Sequence, residues 1–216
     1  MALFNIKTCP VPNKFIKFSF VSINMIITIS GNPGSGKSTI AKIMVEKLGL
    51  ERVYVGGVMR ELAKEKNMNI SDFMQYAKTH PEIDQEADEK AATLARNLEK
   101  QGKDVVVEGR MQFHFLPESI KIYVKVNPDT GAERIWKEIQ NKDAHQSRNE
   151  GEVTSLEDMK EKTKKREEED ALRLKKLYSV DFREERNYGH VVDSTNITAL
   201  EAADKVMMFV DGKKRG

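Results

Sequence analysis

The sequence predicts an α/β fold, a doubly wound parallel five-stranded sheet with helices on both faces. Three observations carry this. Short β-branched apolar runs, Met25 to Ser30 and Asp104 to Glu108 among them, alternate with amphipathic helical runs along the chain, as in parallel strands joined by crossover helices. The first of these runs leads directly into Gly31-Asn32-Pro33-Gly34-Ser35-Gly36-Lys37-Ser38-Thr39, the glycine and lysine spacing of a phosphate-binding loop set between a strand and a helix. Finally, 216 residues, 32 % charged and 39 % hydrophobic, suit one such domain with well-solvated helices.

The elements follow in order. Residues 1–24 carry Lys7, Lys14 and Lys17, no acid and no unbroken apolar centre, so they read as a poorly ordered extension and not as a signal peptide. Residues 25–216 form the single domain. After the loop, Ile40, Ile43, Met44 and Leu48 recur at helical spacing until Gly49. Arg52 to Val55 is a second strand, and Gly56-Gly57 is expected to turn the chain into a helix from Val58 to about Lys66. Asn67 and Asn69 break that helix, Ser71-Asp72 starts another, and Pro81 opens a longer one carrying Ile83, Ala87, Ala91, Leu94 and Leu98. The interval 56–102 exceeds a plain crossover and is expected to form a helical flap over the carboxyl edge of the sheet, where an acceptor would bind.

Asp104 to Arg110 is the third strand with its polar end, and Ile120 to Val126 the fourth. Asn127-Pro128 caps a helix carrying Ala132, Ile135, Trp136 and Ile139. The polar stretch from Asn141 to Gly151 has no periodicity, and 141–165 is expected to be a small lid. Thr154 and Glu157 have the spacing of a capping box opening a long charged helix to about Tyr178. His190 to Ser194 is the last strand. Thr198 and Glu201 cap a final helix, with Leu200, Val206 and Phe209 expected to face inward.

Composition bounds the partners. A net charge of +2 argues against a dedicated nucleic-acid binder. The single cysteine, Cys9, rules out an internal disulfide and fits a reducing, cytoplasmic setting. No apolar run approaches the length of a membrane span. The expectation is a monomer acting on small molecules.

The chemistry begins at the loop. Its glycines let successive N–H groups face a phosphate, and the helix start adds partial positive charge. Lys37 would reach the outer phosphates of ATP, and Ser38 would hold Mg²⁺. Glu108 ends an apolar strand beside the loop, where a carboxylate can hold a Mg²⁺-bound water. Four arginines stand out as anion ligands: Arg60 early in the helix after strand two, Arg110 just beyond strand three, and Arg166 and Arg173 on the long charged helix. Arg166, Asp170 and Arg173 share one helical face, with the acid expected to bridge the cations. His114 is read as a packed or surface histidine, because the acceptor oxygen of a monophosphate needs no general base. Trp136 is read as core.

These residues resemble the cytidylate kinases, in particular the short archaeal-type form. The resemblance rests on Gly31 to Thr39, Arg60 to Ala63, Tyr76 to Asp84 with its His80-Pro81 pair, Val107 to Arg110, Ala132 to Ile135, and Arg166 with Arg173, Tyr178 and Asp181. It implies a nucleoside monophosphate kinase fold and ATP-dependent, Mg²⁺-assisted phosphoryl transfer to CMP or dCMP. It further implies that Arg60 and Arg110 hold the acceptor phosphate, that Arg134, Arg166 and Arg173 meet the donor phosphates or the transferring group, and that Asp170 lies near the acceptor. Gly57, Ala91 and the segment Met111 to Phe115 depart from the family pattern. Two other readings stay open: the same fold with AMP, UMP, dTMP or a small metabolite such as shikimate as acceptor, and a nucleotide-binding regulatory module. For the latter, Asn141 to Ala144 lacks the final acid of a guanine-reading motif.

Overall fold

A computed structural model describes residues 24–140 and 153–215. Residues 1–23 of the expected N-terminal extension, and 141–152 of the expected lid, lie outside the described residues. The elements are β1 (Ile26–Gly31), α1 (Lys37–Leu48), β2 (Glu51–Tyr54), α2 (Val55–Glu65), α3 (Ile70–Thr79), α4 (Pro81–Lys100), β3 (Val105–Glu108), α5 (Gln112–Phe115), β4 (Ile120–Lys125), α6 (Pro128–Ile139), α7 (Leu156–Tyr178), β5 (His190–Asp193) and α8 (Ala199–Arg215). The five strands form one sheet in the order β2-β3-β1-β4-β5, every pairing parallel. β1 is central, paired with β3 through Ile29 and Glu108 and with β4 through Gly31 and Val124. The loop therefore leaves the sheet where its neighbours diverge to either side, the place where ligands bind in open α/β sheets.

Alternation along β1 divides the core. Ile27 and Ile29 pack with Val106, Ile122 and Val124 against Ile40, Ala41 and Met44 of α1 and Ala203, Val206 and Met207 of α8. Ile26, Val105 and Val107 face the other layer, with Val58 and Leu62 of α2, Phe73 of α3 and Ala87, Ala91 and Ala95 of α4. The central strands are covered on both faces, which is why their sequences are nearly all apolar. Among the described residues no helix is long and apolar enough to cross a membrane.

Several boundaries differ from expectation. α2 begins at Val55 and takes in Gly56 and Gly57; a Cβ on Gly56 would come within 2.5 Å of the Tyr54 hydroxyl, so this glycine serves a close ring approach and not a turn. α3 starts earlier than Ser71, because the Asn69 side chain accepts the Asp72 N–H and is the cap. The box opening α7 is Ser155 with Asp158: Ser155 Oγ accepts the Asp158 N–H and the Asp158 carboxylate accepts the Thr154 N–H. Asn127 caps α6 and Thr198 with Glu201 caps α8 as expected. Leu200 is 50 % exposed rather than inward. Trp136 is partly buried against Ile135 and Met159, and His114 is exposed beside the rings of Phe115 and Tyr178.

Candidate active site

The loop is shaped by close backbone packing. At the end of β1, a Cβ on Gly31 would lie 1.9 Å from Val124 O, and one on Gly34, whose φ is +72°, would lie 2.2 Å from Gly131 O at the start of α6. Gly36 has φ +88° with open space where a Cβ would sit, and it precedes α1 without any side-chain cap. The first N–H groups of α1 are thus left for an anion. Lys37 Nζ folds back over the loop, donating to Gly31 O at 2.8 Å and Asn32 O at 2.7 Å. Ser38 and Thr39 are exposed in the first turn of α1.

The loop is also held from behind. Ser194, just past β5, places its Oγ 2.9 Å from Ser35 O, and Arg134 of α6 donates to Ser194 O at 2.7 Å and Thr195 O at 3.2 Å. Arg134 therefore braces the loop after β5, whose Thr195 and Asn196 line an open depression of about 400 Å³ with Lys125, Asn127 and Asp193. Ser194 was not legible as a site residue from sequence; its one signal is its place immediately after a strand's carboxyl end.

Glu108, buried opposite Ile29 of the loop-bearing strand, pairs through Oε1 with Arg52, while its Oε2 is buried without a hydrogen-bond partner among the described residues. An unsatisfied carboxylate oxygen at this edge fits a hydrated cation. Among the described residues no cluster of three or more metal-ligating side chains exists, and Mg²⁺ beside substrate phosphates needs only one or two protein oxygens. Ser38 and Glu108 are consistent with that role.

Beyond the carboxyl end of β3 the arginines are drawn together by acids. Arg110 Nη2 lies 2.6 Å from Asp170 Oδ2 of α7, and its guanidinium sits 5.9 Å from the centre of the Phe182 ring. Asp170 also accepts from Arg173 at 2.9 Å, and Arg173 pairs with Asp84 of α4. Burial pulls the Arg173 pKa down from its usual value. The bridging acid thus joins Arg173 to Arg110 across two elements. Arg60 donates to Gly56 O and lies over the Tyr54 ring, and Arg166 is exposed one turn before Asp170 on α7.

One helix links the two halves. Glu167 of α7 accepts from the Asn32 side chain in the loop, and Asp170 on the next turn holds Arg110. Tyr178 at the end of α7 donates to Asp88 of α4, which Gln112 of α5 also contacts. Sequence reasoning assigns no role to Glu167, Asp88 or Gln112. Asp88 carried a signal, since it is an acid on the apolar stripe of Ile83, Ala87 and Ala91.

A family model described as an AAA domain matches residues 27–155. A cytidylate kinase of Archaeoglobus fulgidus is 36 % identical over 191 residues, covering 88 % of this chain and 97 % of that protein. An S-adenosylmethionine-dependent nucleotide dehydratase of Lacinutrix mariniflava is 33 % identical over 182 residues, covering 84 % of this chain but 35 % of that longer protein. Among solved structures, shikimate kinase from Acinetobacter baumannii in complex with shikimate aligns over 89 % of this chain and 96 % of its own at a TM-score of 0.53 and 16 % identity, a likeness of fold alone.

Proposed function

This chain belongs to the cytidylate kinase family and is a nucleoside monophosphate kinase, and we propose that it transfers the γ-phosphoryl group of ATP to CMP or dCMP, giving ADP and CDP or dCDP. The observation that carries the reading is α7, which reaches the phosphate loop through Glu167 and the acceptor-side Arg110 through Asp170, so that donor and acceptor anions would meet on one face of one helix.

An oxygen of the acceptor phosphate forms a bond to the γ-phosphorus while the bond from that phosphorus to the β,γ-bridging oxygen breaks, and the electron pair leaves with ADP. Little covalent chemistry falls to the protein; positioning and charge neutralisation dominate. The loop N–H groups and Lys37 hold the donor, Arg60 and Arg110 hold the acceptor phosphate, and Arg173 with Arg166 covers the group in transfer. Arg134 keeps the donor side in shape by fixing the Ser194 loop behind Ser35. Ser38 and Glu108 would hold Mg²⁺, which when bound neutralises charge on the phosphates.

The test is ADP release with Mg-ATP against a panel of CMP, dCMP, UMP, AMP, GMP, dTMP and shikimate. A large preference for CMP and dCMP is expected. Activity with shikimate and none of the nucleotides would overturn the assignment. Lys37→Ala and Arg110→Ala should each lower turnover roughly a hundredfold or more with the far-UV circular dichroism spectrum unchanged; a near-normal rate in either removes that residue from the mechanism.

A further inference from the structure

Gln112 is fully buried, and its amide is only half used. Its Nε2 donates to Asp88 Oδ1 at 2.8 Å and approaches Asp88 O at 3.2 Å. Both atoms are acceptors, so the nitrogen must point at Asp88 and the oxygen away. That oxygen, Oε1, is buried with no hydrogen-bond partner among the described residues, a costly position for an amide oxygen when nothing fills it. Asp88 is itself 5 % exposed, its second oxygen held by one donor, Tyr178 OH at 3.2 Å. Burial raises the Asp88 carboxyl to about 6.

The cluster adjoins the anion-binding side. Gln112 follows Arg110 by two residues, Asp88 stands one turn beyond Asp84, the partner of Arg173, and Arg110 acts electrostatically on Asp88. Ala91, small and fully buried, lies one turn after Asp88 on α4, and Gln112 opens the short helix α5.

We propose that Gln112 and Asp88 form the selectivity element for the acceptor base, reading the exocyclic amine of a 4-aminopyrimidine. The inference rests on the phosphotransfer reading above. A ring amine has two hydrogens to donate. One goes to the unpartnered Gln112 Oε1 and the other to the Asp88 carboxylate, where it takes the place of the Tyr178 hydroxyl. A 4-oxo pyrimidine offers only lone pairs there and meets two acceptors, so it is rejected by unpaired buried polar groups.

The experiment compares kcat/KM for CMP, UMP and the monophosphate of the 2-pyrimidinone riboside, which lacks the 4-amino group, in the wild-type chain and in Gln112→Ala and Asp88→Asn, each checked for ATP affinity and melting temperature. The wild type should prefer CMP over both analogues by about tenfold or more. Gln112→Ala should lose CMP activity selectively, and Asp88→Asn, which turns an acceptor into a donor, should move the preference toward UMP, both with ATP affinity retained. Folded variants that keep the wild-type ratio, or lose all acceptors equally, overturn the selectivity role and leave the pair a structural one. Should neither variant fold, the wild type decides: equal use of CMP and the analogue lacking the amine overturns the proposal. Transfer to no pyrimidine monophosphate at all would instead fail the phosphotransfer reading.

Discussion

Gly34 is a residue at which the loop has little freedom. Its φ is positive, and a Cβ added there would lie 2.2 Å from Gly131 O. Gly34→Ala therefore carries about 1–2 kcal/mol from the backbone conformation alone and must also push α6 away. The expected outcome is a lower melting temperature together with weakened ATP binding by calorimetry; ATP affinity equal to wild type would show that the loop tolerates the shift. Asp88 gives a pH signature of opposite sign to most carboxylates. Burial holds its folded pKa at about 6, above the ordinary aspartate value of 3.8, so the stability it confers is full below the unfolded value and is lost as pH rises through 6. The difference is on the order of 3 kcal/mol. Gln112, Tyr178 and Arg110, which face it, lower its pKa without overcoming desolvation. Relative to Asp88→Asn, the wild type should lose stability between about pH 4 and 7, and a difference in melting temperature that stays flat over that range would refute the burial argument.

Among the elements, caps and glycines decide where helices begin. Asn127 accepts the N–H groups of Asp129 and Thr130 at the head of α6, the helix that presents Gly131 to the loop and Arg134 to Ser194. Asn127→Ala should cost about 1 kcal/mol, a fall of about 3 °C in a chain of this size, read by differential scanning calorimetry. The caps at Asn127 and Thr198 were legible because the signal lies within four residues. Gly56 and Gly57 misled because a glycine pair marks a turn on local grounds, whereas here the Tyr54 ring occupies the space a side chain on Gly56 would need. Ser155 and Thr154 are adjacent hydroxyl residues with acids three positions on, and only the entry direction of α7 selects between them.

Across the whole molecule, α7 ties α4 and the phosphate loop together through side chains far apart in sequence. Asn32 and Glu167 are separated by 135 residues, and Tyr178 and Asp88 by 90. Arg173 is the centre of this arrangement, with 28 % of its side chain exposed and Asp84 and Asp170 beside it, each 15 % exposed. Arg173→Met should destabilise by about 3 kcal/mol, because Asp84, largely buried, loses the cation paired with it and Asp170 keeps only Arg110. Adding Asp84→Asn should recover part of that loss in urea denaturation; strict additivity of the two changes would mean that the pair is not coupled.

The strand and helix alternation, the loop with Lys37 and Ser38, and the basic residues Arg60, Arg110 and Arg173 can all be read without coordinates, since each is written in neighbouring residues as a period, a spacing or a charge in an apolar run. The order β2-β3-β1-β4-β5, the choice of Arg110 as the second partner of Asp170, and the meeting of Asp88, Gln112 and Tyr178 emerge only once the chain is folded. Those are settled by which buried faces fit together: a charge or amide taken out of water must find a partner wherever packing places one, and that place has no fixed distance along the chain.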